Sequence, residues 1–327
     1  MRTRIIGNGG LLLSIILVCA MSATEFFLGN PQHLQGELGI CMPSPNLWKL
    51  PAVGSWILNL SSIILLGLFL HLFNKTYNFV NSSDTVLSAA FIFLCGSNPW
   101  INAMLTSSVI MMAANLICLQ FIFGCYRSQK GMQPLFIVGS VLSLCSMFQY
   151  AFVFLIPAYF IIALVIKCLH FKSFIAMLMG VAAPYWIGIG LGIIPLDSFS
   201  MPTFTNLFVD FGTKQTLLVG LLNCAVTIVL SLMLALYNAV KLYAGNTRRR
   251  LLNNSVIILG VAATICIICD VDNIPVYMAT LYMVLAAQLA NLFALHNIRR
   301  PNTIVFILTF LYLASFVLME TGLNFIH

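Results

Sequence analysis

Residues 253–295 read "NNSVIILGVAATICIICDVDNIPVYMATLYMVLAAQLANLFAL", an almost unbroken apolar run interrupted once, at Asp270-Val271-Asp272-Asn273. A bilayer's hydrocarbon core is crossed by about 20 helical residues, so this run is twice the length of one span. The stretch therefore predicts two membrane helices, 253–269 and 274–295, joined by a tight hairpin. Pro275 suits the first turn of the second helix, and Asp272 or Asn273 suits its N-cap. Asp270 and Asp272 are accordingly expected in a hydrated turn, with a place at the rim of an outer acidic cavity as the alternative.

The same alternation of run and break extends over the whole chain. Of 327 residues 61% are hydrophobic and 7% charged, against a charged fraction of roughly 25% in soluble domains. Eleven spans are predicted, at about 5–24, 53–73, 85–98, 101–125, 134–149, 151–167, 174–194, 215–240, 253–269, 274–295 and 303–322. Asn98-Pro99-Trp100 and Gln149-Tyr150 divide runs too long for one span, as the Asp270 turn does. The fold class is all-α, a polytopic transmembrane helix bundle forming a single integral membrane domain over 1–327, with outer loops 25–52 and 195–214 and no soluble domain.

Lys and Arg cluster in cytoplasmic loops, which fixes the expected orientation. With the N-terminus cytoplasmic and the C-terminus extracytoplasmic, thirteen of the fifteen basic residues lie inside, leaving Lys49 and Lys214 outside. Seven of the eight acidic residues, all but Asp84, lie outside. The net charge of +7 is thus a topological signal and not one for nucleic acid, and Arg248-Arg249-Arg250 marks a contact for anionic lipid headgroups. Arg2, Arg4 and the small residues 20–23 also fit a secretory signal peptide. Whether residues 1–23 are retained or cleaved is open at this level, and loop 25–52 is outside in both cases.

Ionisable residues are absent from the centres of the spans, which disfavours a proton-coupled pump. The amides Asn59, Asn102, Asn115, Gln120, Asn223, Gln288 and Asn291 are expected to bond between helices. Gly180, Pro184, Gly188, Gly190 and Gly192 predict close helix approach and a kink. Phe204, Phe208 and Phe211 share one face of a short interfacial helix flanked by Asp197 and Asp210. The ten cysteines imply neither a disulfide framework nor a zinc site, Cys266-x-x-Cys269 included.

The segment 127–167, "RSQKGMQPLFIVGSVLSLCSMFQYAFVFLIPAYFIIALVIK", combines a basic turn, a helix containing Gly139, an abrupt polar break and a helix containing Pro157. It resembles the central hairpin of the GT-C glycosyltransferases, which use polyprenyl-phosphate-linked sugars on the extracytoplasmic side. From Asn98 through Gly139 and Phe148 to Gly180 and Pro184 it resembles more closely a family of polytopic inner-membrane proteins of Bacteroidota. The GT-C resemblance implies that a carboxylate of the first outer loop acts as general base or holds a divalent cation. Glu25 is the residue so placed, with Glu37 second. Gln149 stands where many such enzymes carry Lys; it joins Asp197, Asp210, Asp270 and Asp272 as substrate-binding candidates, and no metal ligands are assigned.

The implied function is binding of, or glycosyl transfer from, polyprenyl-phosphate-linked sugars in the cell envelope at the inner membrane. The alternatives are a non-enzymatic scaffold or complex subunit, and a lipid or solute transporter or flippase. The bilayer and a polyprenyl-linked glycan lipid are the expected partners.

Overall fold

The computed structural model describes residues 8–28, 39–80, 84–126, 131–195, 199, 215–242, 246–295 and 301–324. Twelve α-helices are formed among them: α1 Asn8–Leu28, α2 Ala52–Tyr77, α3 Asp84–Gly96, α4 Pro99–Asn102, α5 Ser107–Gly124, α6 Met132–Phe148, α7 Ile156–Ile166, α8 Phe171–Gly190, α9 Gln215–Leu242, α10 Thr247–Cys269, α11 Ile274–Leu295 and α12 Pro301–Asn324. Eight of them supply stretches long and apolar enough to cross a membrane, and three further apolar stretches, Thr85–Gly96, Met132–Phe148 and Tyr150–Ile166, are shorter. The chain is an integral membrane protein whose described residues form helices and the turns that join them.

The hairpin in the 253–295 run forms as its residues predict. Asp270 ends α10, a 3-10 turn spans Val271–Asn273, and Ile274 opens α11 with Pro275 in the first turn. Two of the differences from the sequence reading bear on the site. First, α1 continues through Leu28 because the apolar Phe26, Phe27 and Leu28 extend it, so Glu25 lies in its last turn rather than beyond it. Second, the run 101–125 is split into the single turn α4 and the separate helix α5, since Pro99 starts a helix that closes within four residues.

α11 is the axis of the bundle. Nearly all of its residues are buried, and it packs against α3, α5, α9 and α10. Its polar side chains meet polar partners on surrounding helices, as expected where lipid cannot satisfy them. Asn115 of α5 donates to Thr280 (2.9 Å), and the Tyr159 hydroxyl of α7 donates to Asn115 Oδ1 (2.8 Å). Asn98 donates to the Tyr282 hydroxyl (3.1 Å), which donates to Asn223 Oδ1 of α9 (3.1 Å). Asn223 in turn donates to Ser315 of α12 (2.7 Å). Gln288 and Asn291 both donate to Asn253 Oδ1 of α10. Gln120 departs from the expected pattern: its side chain is exposed, and only its backbone oxygen takes part, accepting from Tyr77.

α6 and α8 pack with their backbones in contact. A Cβ added at Gly180 would overlap the Phe136 carbonyl oxygen, and one at Gly139 would overlap the Met177 carbonyl oxygen. The Ser143 hydroxyl uses that proximity to donate to the Val181 carbonyl (2.6 Å). α8 runs without interruption through Pro184.

Candidate functional site

Several turns that the charge pattern assigns to the outer side meet at one end of the bundle. Loop 39–50 covers the end of α6, where the Cys41 and Met42 amides donate to the Met147 carbonyl (3.3 and 2.9 Å) and Trp48 packs edge-on against Phe148. Immediately beyond, the Gln149-Tyr150 break faces the Asp270–Asn273 turn.

Asp270 is not a hydrated turn residue. It is 1% exposed, and Asn273 is equally buried. The Tyr150 hydroxyl donates to Asp270 Oδ1 (3.1 Å); the Tyr277 hydroxyl (2.9 Å) and Asn273 Nδ2 (2.8 Å) donate to Oδ2. Asn273 Nδ2 also donates to the Tyr150 oxygen (2.6 Å), and Gln149 Nε2 donates to Asn273 Oδ1. The side chain of Asn273 therefore serves this ring and does not cap α11. Burial raises the Asp270 carboxyl from its ordinary value, against the lowering effect of its bonds to Asn273, Tyr277 and Tyr150. With three neutral donors around it, the carboxylate is held in place and its lone pairs are engaged.

Gln149 and Asp270, both nominated from sequence, are thus brought together through Asn273. Asp272 sits half-buried one residue from the ring. Asp197 and Asp210, like Glu37 and the Phe204–Phe211 face, lie outside the described residues. Sequence reasoning marks Tyr150 only as part of the Gln149-Tyr150 break and passes over Tyr277; their nearness to the two polar breaks is the signal that marks them as site residues.

Glu25 belongs to a separate recess. Its side chain is 1% exposed, and Oε2 meets no hydrogen-bond donor among the described residues. One turn back on α1, the Ser22 hydroxyl accepts from Trp56 Nε1 (2.7 Å) and lies 3.5 Å from the Asn102 carbonyl. Asn59 Nδ2 of α2 donates to the Ile101 and Asn102 carbonyls (2.9 and 3.0 Å). At 1.5 Å per residue, Ser22 and Asn59 lie about 10 Å below the ends of their helices. The α4 turn is therefore set back into the bundle, with Phe26 stacked on Trp56 beside it (4.8 Å).

Towards the opposite end of the bundle, an apolar crevice of about 190 Å³ lies between α1, α3, α11 and α12, lined by residues including Leu13, Leu17, Val86, Phe93, Leu289 and Leu308. Tyr312, at its edge, shares a hydrogen bond with Thr227 (2.9 Å).

Among the described residues no three His, Cys, Asp or Glu side chains are grouped to hold a metal ion. No family model, curated protein or solved structure matches the chain.

Proposed function

We propose that this integral membrane protein resides in a bacterial inner membrane with eleven spans and a cytoplasmic N-terminus, and binds a polyprenyl-phosphate-linked sugar at the extracytoplasmic face. The observation that carries the lipid part of this reading is the apolar crevice between α1 and α12. Its lining suits a hydrocarbon chain, and the apolar side chains flanking it, Leu12, Ile16, Phe306 and Phe310, are exposed where a bilayer would meet them. The sugar part rests on the GT-C resemblance of residues 127–167 and on the polar groups gathered at the opposite, acidic end.

If the protein also transfers the sugar, Glu25 is the residue that takes the acceptor proton, with Gln149, Asp270, Asp272, Asp197 and Asp210 around the substrate. A divalent cation does not fit the Glu25 recess, because one carboxylate among neutral oxygens would leave a net positive charge buried, and no step through such an ion is derived. The test is identification of lipids that copurify with the protein from native membranes, alongside envelope glycan profiles of a Glu25→Gln strain.

A second reading, a non-enzymatic scaffold or complex subunit, is favoured by the Asp270 ring. A carboxylate saturated by donors from three elements acts as a clamp between hairpins without needing a ligand.

A further inference from the structure

The recess beneath Glu25 gathers several buried side-chain oxygens on neighbouring segments. Among the described residues, four side-chain oxygens there are buried and meet no hydrogen-bond donor: Glu25 Oε2, Asn59 Oδ1, Asn102 Oδ1 and Thr106 Oγ1. Glu25, Asn59 and Asn102 are at most 1% exposed and Thr106 is 6% exposed. A buried acceptor without a donor costs about 1–3 kcal/mol, and more when charged. Several of them in one region call for a positive group.

These residues belong to one locality. The Asn59 and Asn102 segments are pinned together by the bond from Asn59 Nδ2 to the Asn102 carbonyl, and Ser22, three residues before Glu25 on the same α1 face, approaches that carbonyl. The 103–106 segment is tied to α2 by the bond from the Leu105 amide to Ser55 Oγ (3.0 Å). Thr106 occupies the N-cap of α5 with extended backbone (φ −126°, ψ 168°), yet its hydroxyl makes no capping bond. That leaves the oxygen available to something else.

We propose that the α1/α2/α4 recess binds one desolvated monovalent alkali cation, with Glu25, Asn59, Asn102 and Thr106 as its oxygen ligands. The donor set is all oxygen, as hard cations prefer over nitrogen or sulfur. Its charge decides the valence. One carboxylate with neutral amide and hydroxyl oxygens neutralises a single positive charge, whereas a divalent ion would leave a buried net charge beneath the Phe26–Trp56 stack. The full burial of the ligand oxygens also excludes a bulky cation. The cation does not depend on the lipid-linked-sugar reading. It does remove Glu25 as a general base, so it favours binding over transfer.

The test uses the full-length protein in detergent, scanned for thermal unfolding in sodium, potassium or N-methylglucamine chloride at equal ionic strength. A cation that binds only the folded state raises the midpoint saturably. The expected result is a rise in the alkali salts relative to N-methylglucamine, with the apparent affinity weakened about tenfold or more in Glu25→Gln. Thr106→Asp provides a second arm that does not depend on Glu25→Gln folding. Asp is a favoured N-cap residue, so the variant is expected to fold, and its second carboxylate should confer a calcium response that the native protein lacks. Identical midpoints in all three salts, as a protonated Glu25 would give, overturn the proposal. So does a Glu25→Gln variant with the native salt response, or a Thr106→Asp variant without a calcium response. Absence of copurified lipid would leave these results intact and count only against the sugar reading.

Discussion

The Tyr150 hydroxyl donates to Asp270 Oδ1 across 3.1 Å, joining two turns that lie 120 positions apart in the chain. Each turn is the polar break of a helical hairpin, so this bond, together with those from Asn273 to Tyr150 and from Gln149 to Asn273, ties the α6–α7 hairpin to the α10–α11 hairpin. Removing the Asp270 carboxylate leaves three buried donors unmatched, at about 1–3 kcal/mol for each group. Asp270→Ala is expected to lower the thermal midpoint in detergent strongly, and Tyr150→Phe by a smaller amount. The double variant should fall short of the sum of the two, because the residues share the bond.

Protonation gives the same ring a pH dependence. Because burial holds the folded Asp270 carboxyl above its unfolded value, the folded state binds more protons between those two values. Stability contributed by this group is therefore present below the ordinary carboxylate range and is lost as pH rises through the raised folded value. Thermal midpoints measured across that window should fall with pH in the native protein and fall less in Asp270→Asn; a steeper fall in the variant would contradict the assignment.

The α6–α8 contact has no room for a methyl group at its glycines. Gly180→Ala places a carbon against the Phe136 carbonyl, so the helices must separate and the Ser143 bond to Val181 must lengthen. Overpacking of this kind costs about 1–3 kcal/mol. Gly190→Ala, with open space around its Cβ, is the control and should leave the midpoint near the native value.

Orientation is tested by exposed positions at opposite ends. Lys49→Cys, in the loop over α6, should react with a membrane-impermeant maleimide on intact cells. Asn246→Cys, at the start of α10, should react only after permeabilisation. The reverse pattern would invert the topology.

Much of this fold was legible in the chain because lipid imposes simple rules. Apolar length gave the hairpin at 270–275, and the lack of water inside a bilayer made Asn115, Asn223, Gln288 and Asn291 readable as interhelical partners. What could not be read locally was depth. Asp270 looked hydrated because it falls in a hairpin break that the charge pattern places outside the membrane; its burial depends on Tyr150, 120 positions away in the chain. Glu25 looked like the first loop residue, yet the three apolar residues after it carry α1 onward and draw it inside. The recess beneath Glu25 follows from α4 closing within one turn of its start at Pro99, a tertiary fact of which the sequence shows only the proline that opens the turn.

The most direct test of the proposed function is mass spectrometry of lipids retained by the protein purified from native membranes, compared with a variant in which Ala90 at the α1/α12 crevice is replaced by Phe. A polyprenyl-phosphate lipid carrying sugar, enriched with the native protein and depleted with Ala90→Phe, is the predicted result. Only bulk phospholipid, in equal amounts for both, would contradict it.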